Sequence, residues 1–545
     1  TDEEHNKFDL TADIGFGEQM MFQVDGIIDR LFLSPIFRMR DWQNPYLAAR
    51  IEGKMSGATI DDLQGSLRID SVSLYDDNFI YNPGEIFLEA VTSDSVGQKK
   101  ISFASSFLDA QIVGDYHFAT IADQLIKVLQ PHLPTLIELP NSKKTPTQTE
   151  LVNNFNFNIN IKNTEDLSYA FSLPLYNVEP ATLNGSIDFE SDTPLKMNAY
   201  LPRLMMGNSD IRESKINLQN SASGGIKLDV NTFLVQNDGY INARLNTSAI
   251  SDSLINTLFF DIENSVAKAN GTLKIDVGLQ KDQNDALSAI IHILPTQILF
   301  NQQVFDIHDA TIAYTKDRIT IEDFGMSQNE MLLIGLEGTA SRKEDDRIRL
   351  YFNDTELAVI LSALNIQNIN GMLNGEIDVF RALQDPILQT NNFRVDSVRL
   401  YGDVIGNLRI NGDLNSEKSG LSVNAFLENQ GFKYIDIRGF VPMEDKNPMN
   451  IDFEMQSLPL KWIQPFTVGA FSNLSGTINS KITVSGKTSE PEIEGWLGVD
   501  KGAMQIAFTN VTYRISDTIQ INRNNIGLND LVILDDNGHT AKLDL

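Results

Sequence analysis

The chain has 545 residues, enough for roughly three or four ordinary domains, with 42% hydrophobic residues, a formal charge of −30 and no cysteine. That apolar fraction excludes a disordered chain, and 43 Lys+Arg against 73 Asp+Glu, with no basic stripe, argues against nucleic acid and fits a soluble, self-repelling outer face. The missing cysteines exclude disulfides, Cys-zinc sites and thiol catalysis.

No apolar run approaches the roughly 18 residues of a membrane span. The first residues, TDEEHNKF, carry neither an initiator Met nor a signal peptide, and the last, AKLDL, break off inside an alternating pattern. The expectation is a fragment of a longer protein, with any anchor or export signal outside it.

Residues 1–50 are aromatic (Phe32, Phe37, Trp42, Tyr46) but show no clean period. Alternation starts at Ile51 and continues through LQGSLRIDSVSLY to SSFLDAQIVGDYHF at 105–118. Over 119–130 the period changes. Ile121, Leu125, Val128 and Leu129 take helical spacing, and Pro131 and Pro134 end the segment. Residues 139–150, LPNSKKTPTQTE, read as a loop or linker separating an N-terminal β segment, 1–138, from a continuous series of β modules over 151–545. In NFNFNINIK at 154–162, Phe155, Phe157, Ile159 and Ile161 share one face and four Asn the other, which is a strand and not a helix.

A short phrase then recurs. LNGEIDV at 373–379 has close variants at 63–69, 183–189, 269–275 and 474–480. Each has apolar first and fifth places and Gly at the third, and all but the last, where Ser480 stands, have an apolar seventh. The glycines are Gly65, Gly185, Gly271, Gly375 and Gly476. They fall on the apolar phase of a period-2 strand, leaving a gap or a bend there. The later four copies mark module restarts near 183, 269, 373 and 474. Short helical stubs are expected before three of them: Ile250, Leu254 and Leu258; Leu357, Ile360, Leu361 and Leu364; and LPLKWIQPF at 458–466. The fold class is therefore mainly β, with few helices to cover one-sided strands. A sandwich, a barrel and a lengthwise trough all remain open.

Catalytic motifs are missing. The six histidines are dispersed, and His292 in AIIHILP reads as a strand residue. SGKTS at 485–489 lacks the first glycine of a phosphate loop, since Lys481 stands there, and reads as a turn. GFGEQM at 15–20 has Met20 in place of the third dinucleotide-loop glycine. Asp535-Asp536-Asn537-Gly538 lacks the spacing of a calcium loop and reads as a hairpin turn. No enzymatic activity, cofactor or metal is expected.

The stretch 474–545 has a Gly-strand, then Pro491 with Gly495, a strand end at Val499–Gly502, a Val511-x-Tyr513 strand and the Asp535-Asp536-x-Gly538 turn. Residues 101–139 add a strand pair, an amphipathic helix and a Pro-rich exit. Together these resemble the TamB family (translocation and assembly module, inner-membrane subunit), within the AsmA-like group of bridge-type lipid transfer proteins. The resemblance implies an elongated, modular sheet of antiparallel strands curled into a taco-like trough with an apolar lumen. It implies a periplasmic location, with an inner-membrane tether upstream of this chain, and outer-membrane biogenesis as the task. The partners implied are phospholipid, both membranes through regions outside this chain, and an Omp85-family outer-membrane barrel protein.

Two readings follow. In the first, phospholipid or another acyl-chain lipid lies along a hydrophobic groove lined by Phe155, Phe157, Ile159, Ile161, Leu273, Ile275, Val277, Leu279, Ile348, Leu350, Phe352, Ile377, Val379, Ile482 and Val484. In the alternative, the open strand edges act as a scaffold or chaperone for outer-membrane protein assembly and secretion. A third, an extracellular adhesin or polysaccharide-binding rod, would place aromatic residues on exposed faces, whereas Phe155, Phe157 and Phe352 lie on the apolar phase.

Overall fold

A computed structural model describes residues 6–543, apart from 16–19, 34–41, 43, 77–78, 93–97, 139–151, 222, 237–238, 266, 364–365, 416–419, 443–447, 468–470, 509, 524, 528–530 and 536–537. The proposed linker, Phe37 and Leu364 lie outside the described residues. The protein is mainly β, and strands pair antiparallel, mostly with their sequence neighbours. Contacts divide the chain into two compact units, Thr1–Leu287 and Ser288–Leu545. In the first unit Leu108–Asp115 pairs directly with Asn154–Ile161, so one sheet continues across the sequence from 116 to 153.

The strand register shows what the alternation builds. In the first unit one line of cross-strand partners runs Ala12, Val24, Gly53, Leu67, Leu88, Phe103, Ala110, Ile159, Leu183, Ala199, Ile216, Val230, Leu245, Leu258, Leu273. All fifteen are apolar. The line one residue away runs Asp13, Gln23, Lys54, Ser66, Glu89, Ser102, Gln111, Asn158, Asn184, Asn198, Asn217, Asp229, Asn246, Thr257, Lys274. All fifteen are polar. Cross-strand partners share a face and successive residues alternate faces, so this sheet has one apolar and one polar surface. At about 4.8 Å per strand the apolar line is roughly 65 Å long, measured across the strands.

The second unit repeats the arrangement. One apolar line runs Ile291, Ile312, Ile321, Gly338, Ile348, Val379, Leu388. Another runs Leu373, Val395, Leu408, Leu427, Ile435, Met455, Ser480, Leu497, Ile519, with Ser480 its one polar member.

Among the described residues three α-helices interrupt the strands. The first, α1 (Phe118–Leu129), matches the expected amphipathic segment, and Ile121 and Leu125 face the sheet. The second, α2 (Glu165–Phe171), was not expected. Its signal is a Thr164 N-cap followed by Glu165 and Asp166, acids that suit a helix N-terminus. The third, α3 (Leu357–Ala363), is the stub expected before Gly375. The stub before Gly476 is a pair of 3₁₀ turns, Leu460–Trp462 and Gln464–Thr467. The stub expected before Gly271 is absent. Leu254 and Leu258 lie in the strand Ser253–Glu263, and Ile250 ends the preceding one. An i, i+4, i+8 series satisfies a helix, but four and eight are also even, so it satisfies a strand equally well.

The recurring glycines do more than leave space. At Gly375 φ is +122°, at a register shift between Asn374 and Glu376, and a Cβ there would sit 2.5 Å from the Phe393 backbone. Gly185 and Gly271 keep register but are faced across the ladder by Phe157 and Phe260, as Gly375 is by Phe352. A Cβ at Gly185 would meet the Phe157 ring at 2.6 Å. The ring lies over the glycine in a Gly–aromatic pairing. Gly375→Leu therefore destabilises whether or not the apolar face is open. The expected loss is roughly 1–3 kcal/mol in urea unfolding, and Gly375→Ala should lose a comparable amount because the strain is in the backbone.

Candidate functional site

The candidate site is the apolar surface itself, and its distinguishing property is incomplete burial. In the first unit's line only Val24 and Gly53 are buried, Ala12 is exposed and the other twelve are half-buried. A compact 60.8 kDa monomer would expose about 19,500 Å², and two separate compact domains of half that mass about 24,000 Å². This chain exposes 32230 Å².

The fifteen residues expected to line a groove lie on this surface. Phe155, Phe157, Ile159 and Ile161 alternate along Asn154–Ile161, opposite Ile187, Gly185, Leu183 and Ala181. Leu273, Ile275, Val277 and Leu279 alternate along Lys268–Lys281. Ile348, Leu350 and Phe352 pair with Val379, Ile377 and Gly375. Ile482 and Val484 pair with Phe453 and Ile451. Phe155 is buried, and the other fourteen are half-buried. Each unit therefore brings its own set onto one face.

Cover is local. In the first unit α1 lays Ile121 and Leu125 on Phe155, Ile187 and Tyr116, with Phe157 and Leu195 beside them. Asn153, fully buried, clamps the start of α1. Its Oδ1 accepts from the His117 amide at 2.6 Å, and its Nδ2 donates to Thr120 and Gln124. The Phe118 amide donates to Asp61. Burial, with Asp61 and Asp62 nearby, pushes the Tyr116 hydroxyl up to about 12, so the ring is a neutral core group. In the second unit α3 packs Leu357 and Ile360 against Leu373, Val395 and Val398. Leu460 and Trp462 pack there against Leu427, Leu458 and Ile478. Between these covers the apolar rows are half-buried.

Polar groups on the apolar surface are mostly satisfied. Thr247 donates to Asn256, whose Nδ2 donates to the Ile275 carbonyl at 3.0 Å. Most charge lies on the other face and the rims, although Asp517, opposite Val499, stands on the apolar row. Arg203 and Arg212 grip Asp210 at 3.0 and 2.8 Å, and Arg438 and Lys433 grip Asp436 at 2.7 and 2.9 Å.

His292 lies in the strand Leu287–Ile293 and contacts Thr311, as expected of a strand residue. Of the stretch 485–489, Thr488 and Ser489 form the turn between the strands Phe471–Lys487 and Glu490–Ile506. Asp535 accepts from the Gly538 and His539 amides in a turn before Thr540–Leu543. Among the described residues no helix is long and apolar enough to cross a membrane. The chain matches no family model and no curated protein.

The grip on Asp210 carries a pH dependence. Hydrogen bonds from Arg212 and then Arg203 hold its carboxyl below the usual carboxylate range, so the stabilisation is present above its unfolded value, about 3.9. It is lost as pH falls through the lower folded value. Melting temperature measured from pH 5 to 2 should fall over that window, and Asp210→Asn should flatten the fall.

Proposed function

We propose that this chain is a stretch of a TamB-like periplasmic bridge whose apolar sheet face carries phospholipid acyl chains between the inner and outer membranes. The observation that carries the reading is the unbroken apolar line across fifteen strands, half-buried along most of its length. A soluble protein rarely leaves so long an apolar strip uncovered unless something binds it. Each methylene moved from water onto the strip gains about 0.8 kcal/mol, whatever the headgroup. Neighbouring rows offer near-equal environments, so a chain can shift along the strip without climbing out of a deep site. The location and the partners in this reading are those the TamB resemblance implies.

Charge placed on the strip separates lining from core. Ile275→Asp with Val277→Asp touches half-buried positions and should leave circular dichroism unchanged while abolishing binding of a fluorescent acyl-chain probe. Phe155→Asp, beneath α1, should cost about 3 kcal/mol or more, because it strands a carboxylate in a packed cluster. If the Ile275/Val277 variant unfolds, the strip is an ordinary closed core. If it folds and still binds the probe, the groove reading fails.

A further inference from the structure

The rim of the first unit's apolar surface carries a cover that is held differently at its two ends. Next to the half-buried rows runs a rim row of cross-strand partners, from Phe155 through Ile187 and Leu195 to Asn220, Ile226 and Ala249. Phe155, Ile187, Asn220 and Ala249 are buried, unlike the row inside it. The cover starts with α1 over Phe155 and Ile187. It ends at the turn between the strands Gly239–Ile250 and Ser253–Glu263. There the Asp252 carboxylate accepts from the Thr135 amide at 3.0 Å and the Thr135 hydroxyl at 2.7 Å. The Asp252 amide donates to the His132 carbonyl. The chain between Leu125 and His132 must therefore pass the ends of the intervening strands, where Asn220 lies.

The α1 end is packed and clamped by the fully buried Asn153. The far end rests on Asp252, with His132 itself buried there, and on an outlying Lys281–Glu138 pair at 3.6 Å, with Glu138 mostly exposed. Between them Asn220 is 1% exposed, and neither its Nδ2 nor its Oδ1 has a hydrogen-bond partner among the described residues. It faces the apolar side, between Leu195 and Ile226. A buried amide with both ends unpaired is costly and calls for an explanation. Asn256, on the same face, is fully engaged.

We propose that the segment 118–138 is a cover hinged at α1 and latched at Asp252, and that it closes over a binding station for an ester-linked glycerolipid. When the latch opens, the Asn220 amide donates to the ester carbonyl while the acyl chain lies on Leu195 and Ile226. The proposal rests on the groove reading and adds to it one position where the polar linkage is recognised.

The chain has no cysteine, so an introduced pair is the only one present. Thr135→Cys with Asp252→Cys locks the latch when oxidised and frees it when reduced. The probe is a phosphatidylcholine with a diazirine on its acyl chain, supplied in vesicles, and its crosslinks are mapped by mass spectrometry. The reduced variant should label both Leu195/Ile226 and Leu258/Leu273. Oxidation should cut labelling of the first pair at least tenfold and spare the second. Asp252→Gly, which suits that residue's φ of +64°, should raise rim labelling without any lock. An ester-linked probe should label the rim several-fold more than its ether-linked analogue, and Asn220→Leu should erase that preference. Rim labelling unchanged by oxidation, or an ester preference that survives Asn220→Leu, overturns the cover and station and leaves the groove standing. Labelling of neither pair in the unaltered protein overturns both.

Discussion

Antiparallel pairing in constant register is the constraint on which the rest depends. Side chains change face at every residue, so a slip of one place between any two strands would turn the apolar line into a polar one from that point on. Fifteen successive strands hold the line from Ala12 to Leu273. Several of these pairings carry irregularities, between Ile28 and Leu31 and between Arg212 and Lys215 among them. The faces match again beyond each one. Bulges bend and twist the sheet without costing it its two-sidedness.

A one-sided sheet has to hide its apolar face or use it. The covers here are small: one helix of three turns, one of two, and a pair of 3₁₀ turns, each seated on a cluster of a few buried side chains. They account for Phe155, Leu373 and Leu427, not for Ile275, Leu350 or Val484. The polar face reaches solubility by neutral means as well as charge, since Asn158, Asn184, Asn198 and Asn217 stand side by side across four strands.

Strand character and the facing of individual residues were legible where the alternation is unmixed. NFNFNINIK allows one arrangement, and its four apolar residues lie together as expected. The first fifty residues were not legible as strands, although Phe8, Leu10, Ala12 and Ile14 alternate through Lys7–Gly15. The small Ala12 weakens the contrast there, and the aromatic residues that follow have no period. The segment 250–258 misled because its spacing is common to both periods. The glycines were legible as a repeat but not in their role, because positive φ and a facing Phe ring are properties of the paired strand. Whether the apolar face is closed depends on what packs against it from elsewhere, which alternation within a strand does not encode. Asn220 was invisible for the same reason, since its isolation arises from its cross-strand neighbours and from the segment that crosses them.

The pairing of strands with their sequence neighbours has a consequence for assembly. Nearly every contact in a meander closes a short loop, so forming one hairpin asks little of distant parts of the chain. Stability then accumulates pair by pair, as in solenoid repeats, and has no single centre whose loss dissolves the whole. A sheet of this kind can be lengthened or shortened by whole hairpins during evolution without redesigning what remains. The reach of the apolar strip thus becomes a quantity that selection can set by counting strands.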